Sequence, residues 1–75
     1  MSVFDLSAGE SGYIKSCNLA GSAAARLVSL GVVAGKKITV LAFSLFKSSV
    51  LIGCGPVRLG LRKALAKQIE VEKCA

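Results

Sequence analysis

The residue types that could carry catalysis are sparse in this 75-residue sequence. It has no histidine, which removes the usual general base and the commonest metal ligand. Its carboxylates are Asp5, Glu10, Glu70 and Glu72. Glu70 and Glu72 would share one face of a strand, but the neighbouring Lys67 and Lys73 favour solvated charge balance over paired acid–base catalysis.

The three cysteines, Cys17, Cys54 and Cys74, are widely separated and form no Cys-x-x-Cys pair. An odd number of this kind is typical of free thiols in a reducing compartment. A cysteine nucleophile needs a base that lowers its pKa, and none is evident. We interpret Cys54 as a small buried apolar residue and Cys74 as exposed. Because no glycine-rich stretch has phosphate-loop spacing either, we expect no enzyme, no catalytic residue, no cofactor and no metal site.

The basic residues raise the question of a negatively charged partner, since the net charge is +6. Arg58, Arg62, Lys63 and Lys67 could form a stripe, either a solvated edge or a nucleic-acid surface. The chain has few aromatic residues and no tryptophan, which argues against base stacking and against a groove for proline-rich peptides.

Arg26 stands on a predicted helix that is otherwise built of alanine and aliphatic residues. Two interpretations remain open. The cation either complements the negative end of the helix dipole or anchors a carboxylate of a partner.

The elements that position these residues are clearest between Arg26 and Val40. Leu27 and Leu30 are three apart and share a helical face. Gly31 fits a left-handed helix cap, and Gly35 fits the positive-φ position of a type II turn.

The remaining pattern predicts a mainly β fold. A helix is expected over 23–30 with Ser22 as its N-cap, and a helical turn over 63–67. In the second strand, Ile38, Val40 and Ala42 should face one side, and Leu41 and Phe43 the other. The predicted strands are 12–17, 37–44, 49–54, 57–62 and 69–72. Five strands with one inserted helix and a helical turn before the last strand indicate a small SH3-like β-barrel.

Length and composition fit a single domain over residues 1–75, with 53% hydrophobic residues. No apolar run approaches the roughly 20 residues of a membrane span. The N-terminal segment lacks a basic region followed by an apolar core, so no signal peptide is predicted and a cytoplasmic location is expected.

Three spaced fragments resemble the FeoA family of small accessory proteins of bacterial ferrous iron uptake. They are Leu6-x-x-Gly9-x-x-Gly12-x-Ile14, Arg26-Leu27-x-x-Leu30-Gly31-x-x-x-Gly35-x-x-Ile38-x-Val40, and Val57-x-Leu59-x-Leu61-Arg62-x-x-x-Ala66-x-x-Ile69-x-Val71. The resemblance implies an SH3-like β-barrel without catalysis. It also implies a partner, the membrane iron transporter FeoB with its cytoplasmic GTPase domain. A FeoA-like module also forms the C-terminal domain of some DtxR-type repressors.

Two positions depart from the family pattern. Ala34 stands where the family usually has a proline before the turn glycine, which predicts a little lost rigidity. The hairpin loop reads Leu45-Phe46-Lys47-Ser48-Ser49 where many members carry a Gly-Asp-Pro-like tip. An apolar tip could dock into a partner or into a second copy of the chain.

The leading hypothesis is a non-enzymatic module that contacts FeoB through Arg26, Leu30, Leu45 and Phe46. It would lie in the cytoplasm or at the inner membrane through its partner, without inserting into the bilayer. The alternatives are a nucleic-acid-binding barrel, an iron-responsive regulatory domain, and ferrous iron binding by Cys54 with nearby carboxylates.

Overall fold

Five antiparallel strands form a single sheet in the computed structural model, which describes residues 1–17 and 21–74. The strands are β1 (Ser11–Cys17), β2 (Lys37–Phe43), β3 (Ser49–Cys54), β4 (Val57–Arg62) and β5 (Ile69–Lys73). Their spatial order is β4-β3-β2-β1-β5. The helices are α1 (Gly21–Ser29) and the single turn α2 (Lys63–Ala66), with short 3-10 turns at Val3–Asp5 and Leu45–Lys47. This architecture confirms the predicted mainly β fold, with its inserted helix and its helical turn before the last strand.

The core is entirely apolar among the described residues. Every strand contributes to it because alternate side chains point to the same face of the sheet. The N-terminal segment adds Val3 and Leu6, and α1 adds Leu27. The fully buried strand residues include Ile14, Ile38, Val40, Val50, Ile52, Leu61, Ile69 and Val71. The N-terminal segment therefore packs against the barrel through Val3 and Leu6.

The end of α1 is fixed by Gly31, whose φ is +89°. The N–H of Val32 donates to the carbonyl of Leu27 (2.9 Å), and the N–H of Gly31 donates to that of Val28 (3.0 Å). These two bonds define a Schellman cap, in which the residue after the left-handed glycine packs back onto the helix. Leu27 and Val32 are both buried, so the predicted helix stop at Gly31 is confirmed.

The turn that follows α1 leads into β2 and is also hydrogen-bonded to β1. Gly35 has a φ of +90°, and Lys36 N–H donates to the carbonyl of Val33 (3.1 Å), as expected of the predicted turn. Gly35 N–H also donates to the carbonyl of Ile14 (2.8 Å), and Ile14 N–H donates to that of Lys36 (2.9 Å). The turn is thereby tied to the first strand even though Ala34 replaces the usual proline.

The start of α1 differs from the prediction. The helix begins at Gly21, so Ser22 lies inside its first turn and is not the N-cap. A serine caps a helix only where the helix begins directly after it, and here the helix already includes Gly21, whose φ is +70°. The sequence also predicts a loop over 18–21, of which residues 18–20 lie outside the described residues.

The predicted facing of β2 holds for its first half only. Val40 pairs with Ile52 and Ala42 pairs with Leu51, so Leu41 is an extra residue at a β-bulge. A bulge reverses the alternation beyond it. Ala42 is therefore exposed rather than buried beside Ile38 and Val40, and Phe43 packs against the core instead.

In β4 the alternation of residues predicts Val57, Leu59 and Leu61 facing inward and Arg58 and Arg62 facing outward. Leu61 is buried, Leu59 packs against the core and both arginines are exposed, whereas Val57 is half-buried outside the core cluster. Within the described ranges, no helix has both the length and the apolar character required to cross a bilayer.

Candidate interaction surfaces

Arg26 and Leu30 lie on one groove, which we call the α1 groove. It has a volume of about 410 Å³ and runs between α1 and the residues of β4 and α2 that face it, including Leu59 and Leu65. Arg26 is exposed in the last turn of α1, where a cation also complements the helix dipole. The groove thus combines apolar walls with one guanidinium group at its side.

Leu45 and Phe46 lie at the tip of the β2–β3 hairpin (the hairpin tip, residues 44–49). Their side chains are 79% and 91% exposed. The tip is nonetheless ordered by its own hydrogen bonds: Ser49 N–H donates to Ser44 Oγ (2.9 Å), and Lys47 N–H donates to the Ser44 carbonyl (2.9 Å). Two large apolar side chains are therefore held in solvent by a defined turn.

The backbone of the hairpin tip is strained. Phe46 has a φ of +63° and Lys47 one of +53°, a region that residues other than glycine and asparagine rarely adopt. Strain of this kind persists where the surrounding structure imposes it, and it is concentrated at functional segments.

Two cations and two aromatic rings lie at the base of the hairpin tip. Phe4 and Phe43 pack edge to face with their centroids 5.4 Å apart. Lys47 Nζ lies 5.1 Å from the centroid of Phe43, and Lys63 Nζ lies 5.6 Å from that of Phe4. Cation–π contacts of this length keep both ammonium groups close to the exposed apolar tip.

The four predicted contact residues therefore fall on two surfaces. The α1 groove includes Arg26 and Leu30, whereas Leu45 and Phe46 are not among its lining residues. The hairpin tip is joined instead to the start of α2, where Lys63 N–H donates to the Ser48 carbonyl (3.0 Å).

A larger groove was missed in the sequence. It has a volume of about 840 Å³ and lies over the outward faces of β2, β3 and β4, so we call it the sheet groove. Its floor includes Thr39 and Gly53, which are paired across the strands, and Arg58 follows as the partner of Gly53 on β4. A glycine inside a predicted strand was the available signal, because it often marks a place where something approaches the backbone closely.

The charges near the sheet groove are all positive. Lys36, Lys37 and Arg58 line it, and none of its lining residues is acidic. The carboxylates have contacts elsewhere: Glu10 forms a salt bridge with Lys73, and Glu70 lies 3.8 Å from the amino group of Met1. Asp5 Oδ2 accepts a hydrogen bond from the N–H of Ser2 (2.8 Å).

The hydrogen-bonded carboxylates have shifted acidities. The N–H of Ser2 lowers the pKa of Asp5 below its ordinary value, and the hydrogen bond from Lys73 does the same for the pKa of Glu10. Both carboxylates are at the surface.

The predicted basic stripe is divided between surfaces. Arg58 lines the sheet groove, whereas Lys67 lies beside Met1, Ser2 and Glu70 in a separate shallow hollow. Lys63 stacks on Phe4 near the hairpin tip. Only Arg58 and Arg62 share a strand face.

The thiols are free, and Cys54 is buried as predicted. Its Sγ–H donates weakly to the Gly31 carbonyl over 3.7 Å, which links β3 to the end of α1. Cys74 is half-buried rather than exposed, and burial raises the pKa of Cys17. In residues 1–17 and 21–74 there is no group of three or more Cys, Asp or Glu side chains that could hold a metal ion.

A family model described as the FeoA domain matches residues 1–73. The chain belongs to the FeoA family. This confirms the resemblance carried by the three spaced fragments. A comparison with curated protein sequences gave no significant match.

Solved structures of FeoA proteins share the fold. The solution structure of FeoA from Chlorobium tepidum superposes with a TM-score of 0.94 at 29% identity, over 100% of this chain and 71% of that one. The zinc complex of FeoA from Stenotrophomonas maltophilia gives a TM-score of 0.82 at 28% identity, over 96% of this chain and 89% of that one. The latter is described as an SH3 domain protein and a candidate activating factor of ferrous iron transport. The SH3-like fold class predicted from the strand pattern is thus confirmed.

The same fold occurs in a metal-dependent regulator. A manganese-dependent transcriptional repressor in complex with manganese matches over 99% of this chain and 36% of that one, with a TM-score of 0.83. At 18% identity the likeness concerns the fold alone.

Proposed function

We propose that this FeoA-family protein is a non-enzymatic accessory of ferrous iron uptake that acts by binding the membrane transporter FeoB from the cytoplasmic side. The observation that carries the proposal is the FeoA domain match over residues 1–73. FeoA structures at 28–29% identity support it, since one of those proteins is described in terms of ferrous iron transport.

The surface of the molecule supports a binding role. The hairpin tip exposes Leu45 and Phe46. Once a partner buries them, large apolar side chains of this kind supply much of the affinity of a protein interface. Arg26 offers a planar guanidinium group beside the apolar α1 groove, which suits a partner carboxylate. We therefore propose Arg26, Leu30, Leu45 and Phe46 as contact residues, the first pair on one surface and the second pair on another.

The nucleic-acid alternative lacks a comparable observation. Three of its four basic residues, Arg58, Lys63 and Lys67, are divided between the sheet groove, the hairpin tip and the hollow near the N-terminus. A phosphate backbone requires a continuous basic track to neutralise several charges at once.

Affinity capture from the cells that make the protein tests the proposal. A C-terminally tagged chain should recover FeoB from detergent-solubilised membranes, and nuclease treatment should leave the recovery unchanged. The double variant Arg26→Glu/Phe46→Asp should lose most of the recovered transporter. The matched control is Lys67→Glu/Tyr13→Asp, which changes the net charge by the same amount at exposed positions outside the α1 groove and the hairpin tip.

The outcomes separate the function from the site. Absence of FeoB from the wild-type capture would overturn the proposed function. Equal recovery by the double variant and its control, with both folded by circular dichroism, would overturn the contact residues while leaving the partner in place.

A further inference from the structure

We propose that the sheet groove is a second binding site, and that its ligand is an acidic peptide segment carrying apolar side chains. The site lies over the strand faces and shares only Leu30 with the α1 groove, whereas the other contacts proposed above lie in the α1 groove or on the hairpin tip. The proposal concerns a class of ligand and does not depend on FeoB as its source.

The shape of the sheet groove follows from one position without a side chain. Arg58, Gly53 and Thr39 form a single row across β4, β3 and β2. Gly53 leaves a gap at the centre of this row, between two residues that do carry side chains. The Leu41 side chain borders this gap, since its Cδ1 would lie 3.5 Å, an ordinary van der Waals distance, from a β-carbon built on Gly53.

Apolar side chains line the groove beyond this gap. Leu41 stands on one side, and Leu30, Pro56 and Val57 stand toward the end of the β3–β4 hairpin. Leu41 is 40% exposed, so its apolar surface is available to a ligand. A concave site of this composition gains affinity when a ligand buries aliphatic groups in it.

The positive charges of the groove favour acidic groups on the ligand. Lys36, Lys37 and Arg58 are exposed, and neither recorded salt bridge of the described residues involves them. With no acidic residue lining the groove, its potential is positive and complementary to carboxylates. A peptide that alternates acidic and apolar residues pairs its carboxylates with the cations and buries its apolar side chains against the walls.

A polynucleotide meets only half of these requirements. Phosphates would pair with the three cations, but no aromatic residue lines the groove to stack a base. The apolar walls would then remain without a partner.

A nuclear magnetic resonance titration tests the site directly. The isotope-labelled protein is titrated at low salt with a short peptide of alternating glutamate and leucine. Three probes of equal length serve for comparison: polyglutamate, alternating lysine and leucine, and single-stranded oligothymidylate. We expect saturable shifts at Thr39, Leu41, Gly53 and Arg58 with the glutamate–leucine peptide, weaker binding of polyglutamate, and no shifts there with the lysine–leucine peptide.

Two variants separate the gap from the charge. Gly53→Val should abolish binding because it fills the gap, and it introduces no left-handed strain since Gly53 is not among the positive-φ glycines. Arg58→Glu should weaken binding by about two- to fivefold, the upper part of the range that an exposed ion pair supplies. Lys67→Glu makes the same charge change away from the groove and should bind as the wild type does.

The proposal is overturned if the glutamate–leucine peptide causes no saturable shifts or shifts residues outside the groove. It is equally overturned if oligothymidylate binds at the same residues with equal affinity, since the site would then recognise negative charge alone. Should Gly53→Val fail to fold, Arg58→Glu against Lys67→Glu still decides the question.

Discussion

Gly12 and Glu72 approach each other so closely that a β-carbon on Gly12 would stand 2.9 Å from the carbonyl oxygen of Glu72. Gly12 lies in β1 and Glu72 in β5, where neighbouring residues of the two strands are paired. The atom in the way belongs to the backbone and cannot rotate aside. Only glycine allows the two strands to keep this register.

Gly12→Ala is therefore expected to destabilise the protein by about 1–3 kcal/mol, the usual cost of adding a methyl group where none fits. Gly60→Ala is the matched control, because the added methyl group meets nothing within 4 Å and Gly60 has no positive φ. Its free energy of unfolding should stay within about 0.5 kcal/mol of the wild type. Urea unfolding of the three proteins measures both values, and similar midpoints for the two variants would contradict the prediction.

Gly31→Ala tests backbone conformation without crowding. A β-carbon at Gly31 would also meet nothing within 4 Å, but φ is +89°. We expect a loss of about 1–2 kcal/mol because an L-residue pays to adopt a left-handed conformation. The same Gly60→Ala control applies, since it adds an identical methyl group in open space. A Gly31→Ala variant as stable as this control would show that the helix cap tolerates a different backbone.

Acid should destabilise the fold through Asp5 and Glu10. The pKa of each is lowered in the folded protein, so each contributes stability above the ordinary carboxyl pKa of about 4 and loses it as the pH falls through the folded value. The urea midpoint should accordingly fall between about pH 4 and pH 2. In Asp5→Asn/Glu10→Gln this fall should be smaller.

Glu72→Gln is the control for that series. Glu72 is exposed and takes part in neither recorded salt bridge of the described residues. The variant should keep the full acid dependence. An equally large fall of the urea midpoint in the double variant would mean that other groups cause the acid dependence.

The strain at Phe46 predicts that binding and stability separate at the hairpin tip. Phe46→Asn should keep or raise the free energy of unfolding, by up to about 1 kcal/mol, because asparagine adopts positive φ more readily. It should nevertheless reduce capture of FeoB, since the exposed ring is lost. Leu45→Asn is the structural control: its φ is not positive, so its stability should be unchanged. A clear loss of stability in Phe46→Asn would show that the ring packs in the fold.

Local chemistry accounts for the parts of the fold that the sequence predicted correctly. Gly31 and Gly35 act through their own φ angles, and β4 alternates without interruption, so each could be inferred from neighbouring residues alone. The error at Ala42 has the opposite origin. The bulge at Leu41 arises from the way β2 pairs with β3, and the spacing of apolar residues within either strand does not predict that pairing.

The candidate sites show the same division. Arg26 lies in the last turn of α1 and Leu30 directly follows it, with its N–H bonded to the Arg26 carbonyl, so their common surface could be predicted. Thr39, Gly53 and Arg58 belong to three strands and become neighbours only through the register of the sheet. The sheet groove therefore required the structure, although Gly53 alone could have raised the question.

Leu30 lines both the α1 groove and the sheet groove. A ligand that fixes the rotamer of this side chain from one side also sets the shape of the wall on the other side. Two occupants would then be linked thermodynamically, and whatever the first does to the affinity of the second, the second must do equally to the first. One leucine at the end of α1 thus gives this small barrel a direct route to cooperative or competitive binding of two partners.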